Sequence, residues 1–427
     1  MYDIKELYEA RTVEEAVALR LAHPEAGIIA GGSDVLIKVR DGKEAGRELI
    51  SIYGIEEIRG VSLEKDGTIR IGALTSFKHL SVHPLIQKYI PVLGEAVDQV
   101  GGPQIRSIGT IGGNTCNGVT SADSASTLMA WDARVELRGP EGRRVVKMED
   151  FYLGAGKADV RPGEIETAIL IPKASYLGYR GHYIKYGMRN AMEIATTGCS
   201  VNVKLSDDKQ RIEEIRIGFG VAAPVPIRAK KTEEKLKGCS VEEGADLIYK
   251  EVLEDVTPRD SWRAARAMRL HLCQVMAKRA FLEAVKRARE GICSEEEVIR
   301  DLEKEIPRTL CFSSCSCPDK EKLKPSGVPP VRTPDGRSLQ MVTCRINGKV
   351  RTQMVDVRAS LTDLLRDDFR MTSVKVGCEV GECGACAVII DGECYNSCIY
   401  LAVWADGREI TTLEGLEEED GRISDLQ

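Results

Sequence analysis

In the first part of the chain, apolar residues recur at the spacing of short helices in some segments and at the spacing of strands in others. Thr12, with Glu15 three residues later and a run of helix formers behind it, predicts a helix capped by Thr12. A buried strand is predicted at 27–30, a helix at 35–40 and an extended segment at 48–54. Together these patterns predict an α/β unit over residues 1–60.

The middle of the chain continues this mixture of elements. Residues 61–175 show strand patterns at 68–73 and 134–138, and helical patterns at 76–100 and 124–131. Residues 176–290 show a strand pattern at 215–222 and a long amphipathic helix at 261–290. The apolar residues of that helix recur near helical spacing and are predicted to form its apolar stripe: Ala265, Met268, Leu272, Val275, Met276 and Leu282. Strand and helix patterns are thus mixed along this part of the chain, without a long internal repeat.

A change of pattern near residue 291 predicts a linker, followed by a new module. Five prolines lie between 318 and 334, which is typical of a connecting segment, so 291–339 is assigned as the linker. Beyond it, two strand patterns flank Asn347-Gly348, the signature of a tight hairpin turn, and a short helix follows at 360–367. This module is assigned to residues 340–420, with 421–427 as a tail.

Composition and charge exclude several classes of protein. The chain has 427 residues, 43% hydrophobic and 30% charged, so it is long enough for about three globular domains. Its net charge of −6 does not predict a nucleic-acid-binding protein. No apolar run approaches the ~18 residues of a membrane span, and the first residues lack the apolar core of a secretory signal. We therefore expect a cytoplasmic protein with no membrane contact.

The cysteines depart from an ordinary composition, since nine of the fourteen lie at or after Cys311. Cys378, Cys383 and Cys386 have the C-x4-C-x2-C spacing of a plant-type [2Fe–2S] site, and Cys398 follows after eleven residues. Three thiolates on one tight loop suit a compact cluster, and the glycines at 377, 381 and 384 let the backbone amides approach it.

Other interpretations of the cysteines are open on sequence alone. Instead of a [2Fe–2S] cluster, the four cysteines of the motif could bind zinc or be inert thiols. Zinc sites, however, more often use two C-x2-C pairs. Cys394 is predicted to be a spectator. Cys311, Cys315 and Cys317 are predicted to be linker thiols, with a metal site that includes Cys293 or Cys344 as the alternative. The remaining cysteines are predicted to act as small apolar residues, namely Cys116, Cys199, Cys239 and Cys273.

Two glycine-rich segments are candidates for binding a phosphate or a ring system. Gly31-Gly32-Ser33-Asp34 follows a predicted strand and precedes a helix, which would direct backbone N–H groups toward a pyrophosphate; an ordinary turn is the alternative. Residues 110–114 have a similar character. Asp123, nine residues further on, would accept a hydrogen bond from a ring N–H, with a helix N-cap as its alternative.

Taken together, these segments resemble a known family. Residues 1–290 resemble the flavin subunit of the xanthine dehydrogenase, or molybdenum hydroxylase, family. The matching stretches are residues 30–36, 104–114, 122–125, 185–195 and 224–229. Residues 341–415 resemble the N-terminal half of the iron–sulfur subunit of that family, of which the eleven-residue step to Cys398 is the mark.

The resemblance implies a fold class, cofactors and binding residues. It implies an α+β multidomain chain: a two-part FAD-binding region over 1–175, divided near residue 60, a flavoprotein C-terminal domain over 176–290, and a β-grasp [2Fe–2S] domain. Cys378, Cys383, Cys386 and Cys398 would bind one cluster. The FAD-binding residues implied are Ile28, Ile29, Ala30, Gly31, Gly32, Ser33, Asp34, Val35, Thr110, Ile111, Gly112, Gly113, Asn114, Asp123 and Lys185. Without the resemblance, Lys185 would be taken for a solvent-facing strand lysine.

The resemblance also implies a function and partners. Electrons from a molybdopterin-binding large subunit would pass through the cluster to FAD and then to NAD+, and no residue here would act on the substrate. The family's second cluster domain would begin near 424–427, so a source of the second [2Fe–2S] cluster is expected outside this chain, with a truncated product as the alternative. The alternative is a stand-alone NAD(P)H-dependent flavin/iron–sulfur reductase without a molybdenum partner.

Overall fold

The computed structural model describes residues 1–310, 323–417 and Arg422. These residues form two compact units. The first contains Met1–Glu56, Gly102–Gly109 and the described residues from 323 onward; the second contains Glu57–Gly101 and Thr110–Leu310. In the described residues, no helix combines the length and the hydropathy that crossing a bilayer requires.

The N-terminal segment forms a small parallel sheet with two helices. Its elements are β1 (Ile4–Glu9), α1 (Val13–Ala22), β2 (Gly27–Ile29), α2 (Val35–Arg40) and β3 (Arg47–Ser51). The strands are parallel in the order β1-β3-β2. The predicted cap is present, because the hydroxyl oxygen of Thr12 accepts a hydrogen bond from the Glu15 amide at 3.1 Å.

Residues 61–176 form a five-stranded sheet with short helices. The elements are β4 (Val61–Leu63), β5 (Ile69–Gly72), α3 (Phe77–Val82), α4 (Pro84–Tyr89), α5 (Pro91–Val97), α6 (Pro103–Ile108), α7 (Ile111–Cys116), α8 (Asp123–Ala130), β6 (Arg134–Gly139), β7 (Gly142–Lys147), α9 (Met148–Phe151), β8 (Tyr152–Gly154), β9 (Lys157–Ala158), β10 (Ile165–Ile171) and α10 (Lys173–Tyr176). The sheet order is β4-β5-β10-β6-β7. The helical region predicted at 76–100 is three helices, because Pro84 and Pro91 each start a new one.

A four-stranded antiparallel sheet covered by a long helix follows. The elements are β11 (Arg180–Tyr186), β12 (Thr197–Leu205), β13 (Ile212–Gly220), β14 (Ile227–Arg228), α11 (Lys230–Leu236), α12 (Val241–Glu251), α13 (Arg266–Glu290) and α14 (Glu295–Leu302). The predicted apolar stripe of α13 is partly wrong, since Met268 and Leu282 are 40% and 45% exposed. The buried stripe contains small residues such as Cys273, Ala277 and Ala284, which pack closely against the sheet.

The segment predicted as a linker begins with ordered structure. Ser294 and Glu297 form a capping box that starts α14, and Val298 is buried. The Asp301 carboxylate, also buried, accepts hydrogen bonds from Tyr89 Oη at 2.8 Å and Lys88 Nζ at 2.6 Å. The start of the 291–339 segment is therefore anchored to the second unit.

The C-terminal module is a mixed sheet with hairpins. Its elements are β15 (Val331–Arg332), β16 (Ser338–Ile346), β17 (Lys349–Asp356), α15 (Leu361–Asp363), β18 (Ala387–Ile390), β19 (Glu393–Asn396) and β20 (Glu409–Thr411). The order is β15-β16-β20-β18-β19, with β17 paired to the other edge of β16. The predicted hairpin turn is observed, with φ of 49° at Asn347 and 78° at Gly348.

The N-terminal sheet and the C-terminal module share one hydrophobic core, which differs from the predicted order of separate domains. Leu49 and Ile29 of the sheet belong to the same buried cluster as Leu364 and Trp404. The indole N–H of Trp404 donates to the Ser51 hydroxyl at 3.0 Å, and the Tyr53 ring stacks on the Trp404 ring at 4.5 Å. A sheet must bury its apolar face against another layer, and here residues distant in sequence supply part of that layer.

Candidate functional site

The cysteine-rich loop directs backbone amides at its own sulfur atoms. The amides of Glu382 and Cys383 donate to Cys378 Sγ, both at 3.3 Å, and the Cys378 amide donates to Cys383 Sγ at 3.4 Å. Burial raises the pKa of Cys378, but these amide hydrogen bonds outweigh it and lower that pKa overall. The loop therefore stabilises thiolates before any metal is considered.

The glycines of this loop are required by its geometry. Gly381 and Gly384 have φ of 78° and 73°, in the left-handed region that other residues rarely adopt. A Cβ on Gly377 would lie 2.7 Å from Cys383 Sγ, so a side chain there would displace the sulfur. All three positions are those at which the sequence predicts close backbone approach.

The four thiols of the motif are grouped in two pairs. Cys378 and Cys383 are joined by the hydrogen bonds above. Cys386 and Cys398 are both nearly buried, and a hydrogen bond from the Cys398 thiol lowers the pKa of Cys386 to about 6 against the effect of burial. Among the described residues, no group of three or more His, Cys, Asp or Glu side chains lies close enough together to hold a metal ion. In a [2Fe–2S] cluster each iron takes two protein ligands, a number that each of the two thiol pairs could supply.

Two other cysteines of the first unit have different surroundings. Cys394 lies in β19 opposite Ile389, which is 39% exposed, so this cross-strand pair is on the solvent side of the hairpin. Cys344 is fully buried in the core, and burial raises its pKa to about 12. Cys311, Cys315 and Cys317 lie outside the described residues. That Cys394 is not a ligand therefore stays a prediction.

The first glycine-rich segment connects β2 to α2 in the first unit. A Cβ on Gly31 would lie 1.8 Å from the carbonyl oxygen of Ile108, and Gly32 has φ of 75°. Close packing of two backbone segments therefore requires glycine at 31, independently of any ligand. Ser33, Asp34 and Val35 follow at the start of α2, and all three are partly exposed.

The second glycine-rich segment, in the second unit, is the first turn of α7 rather than a loop. Thr110 is the N-cap, and its hydroxyl oxygen accepts from the Gly113 amide at 3.2 Å. A Cβ on Gly112 would lie 2.6 Å from the Cβ of Ala73. Asn114 Oδ1 accepts from the Ser124 hydroxyl at 2.6 Å, which ties α7 to α8. The sequence lacked a helix signal here because glycine is a poor helix former.

Asp123 and Lys185, which the sequence places 62 residues apart, form a buried ion pair. Lys185 Nζ lies 2.8 Å from Asp123 Oδ2, and the two side chains are only 9% and 6% exposed. Tyr183, two residues before Lys185 on the same face of β11, donates its hydroxyl to Asp123 Oδ1 at 2.7 Å. Burial raises the pKa of Asp123, and the ion pair opposes that shift. Both alternatives are wrong: Asp123 is not the N-cap of α8, and Lys185 does not face solvent.

Replacement of Lys185 by methionine should destabilise the protein by about 3–5 kcal/mol, because it leaves a buried carboxylate without its cation. The free energy of unfolding is measured by urea denaturation without FAD. Lys204→Met is the matched control: Lys204 pairs with Glu213 on neighbouring strands, at side-chain exposures of 34% and 47%. That control should cost no more than about 1 kcal/mol. Equal losses in the two variants would contradict the importance assigned to the Asp123–Lys185 pair.

One buried acid beside α7 had no signal in the sequence. Glu166 lies on β10, and its Oε2 accepts hydrogen bonds from the Thr115 hydroxyl at 2.7 Å and the Cys116 thiol at 3.1 Å. Burial raises the pKa of Glu166 to about 8, so this carboxyl is largely protonated at neutral pH. These two hydrogen bonds attach the end of α7 to β10. Cys116 is exposed, contrary to its prediction as a small apolar residue.

Three known families match successive parts of the chain. Residues 2–174 match the FAD-binding domain in molybdopterin dehydrogenases, and residues 182–284 match the C-terminal domain of the CO dehydrogenase flavoprotein. Residues 344–419 match the 2Fe-2S iron–sulfur cluster binding domain.

Individual relatives agree with these matches. The xanthine dehydrogenase FAD-binding subunit of Escherichia coli O157:H7 is 39% identical over 289 residues, which are 67% of this chain and 98% of that subunit. The nicotine 6-hydroxylase small subunit of Paenarthrobacter nicotinovorans is 44% identical over 95 residues, which are 22% of this chain and 56% of that subunit. A crystallised carbon monoxide dehydrogenase chain from Hydrogenophaga pseudoflava superimposes with a TM-score of 0.62 at 29% identity, covering 67% of this chain and 99% of that chain. The predicted family and fold class are thus confirmed, and the protein belongs to the molybdenum hydroxylase family, of which it combines the FAD-binding and [2Fe–2S] electron-transfer parts in one chain.

Proposed function

We propose that this protein passes electrons from a molybdopterin-binding large subunit through one [2Fe–2S] cluster to FAD and finally to NAD+. The observation that carries the proposal is the presence, in one chain, of a FAD-binding domain and of a 2Fe-2S binding domain whose four motif thiols, three on one loop and the fourth after β19, are grouped two by two. When bound, the cluster carries single electrons, whereas FAD takes them one at a time and gives up two together as hydride. A one-electron carrier beside a carrier that can release two electrons together is suited to a relay between a molybdenum centre and a nicotinamide.

The chain's own residues would hold and orient these cofactors. We assign the cluster to Cys378, Cys383, Cys386 and Cys398, with the loop amides as hydrogen-bond donors to the sulfurs. For FAD, residues 28–35 would bind the pyrophosphate through backbone N–H groups. Residues 110–114, Asp123 and Lys185 would contact the flavin, with the ion pair holding both charged groups in fixed positions.

The partners follow from what the relatives are. They include a FAD-binding subunit of xanthine dehydrogenase and a small subunit of nicotine 6-hydroxylase, which are parts of multichain enzymes. We propose that a large molybdopterin-binding chain binds the substrate and that a second [2Fe–2S] cluster comes from outside this chain. A stable complex should bury more than about 1,000 Å². We also place the protein in the cytoplasm, a reducing compartment in which cysteines remain available as thiolate ligands of an iron–sulfur cluster.

NADH should reduce the purified, cofactor-loaded protein under anaerobic conditions and drive reduction of an artificial dye. Xanthine should give no NADH until the large molybdenum chain and a source of the second cluster are added. The absorbance of the flavin and of the dye is followed, with dithionite as the control for full reduction. Steady xanthine-dependent NADH formation by the molybdenum-free chain alone would contradict the proposed division of labour. Reduction by dithionite but not by NADH would make NAD+ the wrong acceptor.

The partner itself is tested by affinity purification from the native host, with metal analysis and identification of co-purifying chains. We expect a large chain that carries molybdenum. Rapid dye reduction by NADH together with the absence of such a chain would favour the stand-alone reductase instead.

A further inference from the structure

An arginine from the N-terminal segment reaches the loop that carries the cluster cysteines. Arg40 ends α2, and its guanidinium makes two contacts: Nη1 donates to Glu379 Oε1, in the loop, at 3.0 Å, and Nη2 donates to the carbonyl oxygen of Cys398, which follows β19, at 3.4 Å. The hydroxyl of Tyr2 donates to the same carbonyl. All four residues belong to the first unit.

The position of Arg40 is fixed by its surroundings. Leu36, one helical turn earlier on the same face of α2, is fully buried in the core shared with the C-terminal module. The guanidinium carbon lies 4.4 Å from the centre of the Tyr2 ring, a cation–π contact, and Tyr2 is 2% exposed. The Arg40 side chain is only 15% exposed. The positive charge is therefore held at one place beside Cys398.

One polar group of this arginine has no partner. Arg40 Nε is buried and makes no hydrogen bond to any of the described residues. A buried donor without an acceptor lowers the stability of the fold. Such groups in native proteins therefore call for an explanation, and a redox role is one of them. A nearby cluster that gains negative charge on reduction would provide that role.

From these contacts, and resting on the proposed function in which Cys398 is a cluster ligand, we infer that Arg40 is a positioning residue that raises the reduction potential of the [2Fe–2S] cluster. Reduction adds one electron and hence one negative charge to the cluster, while no bond to the protein forms or breaks. A guanidinium beside a ligand stabilises the reduced state, and because Cys398 is 2% exposed, water screens this attraction weakly. Glu379, as a negative charge on the same loop, opposes the effect.

The test is a redox titration of the cluster in the full chain, with dithionite as the electron donor and the EPR signal of the reduced cluster as the readout. Arg40→Met should lower the ratio of reduced to oxidised cluster at a fixed potential by three- to tenfold, equivalent to about 28–59 mV for a one-electron couple. Arg40→Lys, which keeps the charge, should restore at least half of the shift. Glu379→Gln, which removes the opposing charge, should shift the ratio in the opposite direction.

Arg47→Met is the matched control, because Arg47 lies in the same N-terminal segment and pairs with Glu44 near the surface. It should leave the midpoint potential unchanged. Shifts of the same sign in Arg40→Met and Glu379→Gln, or no shift in either, would overturn the inference. Iron and sulfide are measured first: wild-type protein without a cluster would refute the proposed function, whereas a normal cluster with unchanged potentials would refute only the role of Arg40. If Arg40→Met does not fold, the opposite shift of Glu379→Gln and the retained potential of Arg40→Lys decide.

Discussion

Cys383→Ser should abolish the [2Fe–2S] cluster, lowering iron and acid-labile sulfide from about two of each per chain to background. Cys383 Sγ accepts from the Cys378 amide, and the Cys383 amide donates to Cys378 Sγ, so this residue holds one of the two thiol pairs together. A serine hydroxyl is a far poorer iron ligand than a thiolate. The measurement is iron and sulfide analysis of anaerobically purified protein, together with the EPR spectrum after reduction.

Cys394→Ser is the matched control, because Cys394 lies in the same module and on the solvent side of its hairpin. This variant should keep its iron, its sulfide and its EPR signal. Loss of the cluster in Cys394→Ser together with its survival in Cys398→Ser would show that the ligand assignment is wrong.

Gly112→Val should reduce the FAD content of purified protein at least tenfold and leave the iron content unchanged. The new side chain would lie 2.6 Å from the Cβ of Ala73 and 2.9 Å from its carbonyl oxygen, so the first turn of α7 must move. The cluster cysteines belong to the other unit and should be unaffected. FAD is measured by absorbance after release from the protein, and iron is measured in the same sample.

Gly31→Val should behave differently. Its Cβ would lie 1.8 Å from the Ile108 carbonyl oxygen, and this clash is in the first unit, whose core also supports the cluster module. We expect loss of both FAD and iron. Gly154→Val is the control in the second unit, because no atom would lie within 4 Å of a Cβ at that position, and it should keep both cofactors. Loss of FAD in the Gly154 variant would show that bulk at any glycine suffices.

Local patterns in the sequence predicted most of the elements and the cysteine loop. The Thr12 cap, the Asn347-Gly348 turn and the left-handed glycines at 381 and 384 depend on neighbouring residues only, so a short stretch of sequence determines them. The same holds for the spacing of the cluster cysteines.

Contacts between distant segments could not be predicted from local patterns. The Asp123–Lys185 pair depends on β11 lying beside α8, which no local pattern encodes, and only the resemblance to the family singled out Lys185.

The arrangement of the domains was the least predictable part. Apolar strand residues such as Ile29 and Leu49 show that a face is buried, but they do not show which segment covers it. The segment 102–109, which in sequence interrupts the second unit, belongs to the first because Ile108 packs there. Arg40 was missed for the same reason, since nothing near it in sequence indicates a contact with residues 379 and 398.

The shared core of the N-terminal sheet and the C-terminal module has a consequence for synthesis on the ribosome. Ser51 and Trp404 are 353 residues apart, and at about 5–20 residues per second the ribosome needs roughly 18–70 s to make the chain between them. During that interval the first strands have emerged while the segment that covers their apolar face has not been made. We therefore expect the N-terminal segment to be most prone to aggregation during this interval, before its apolar face is covered.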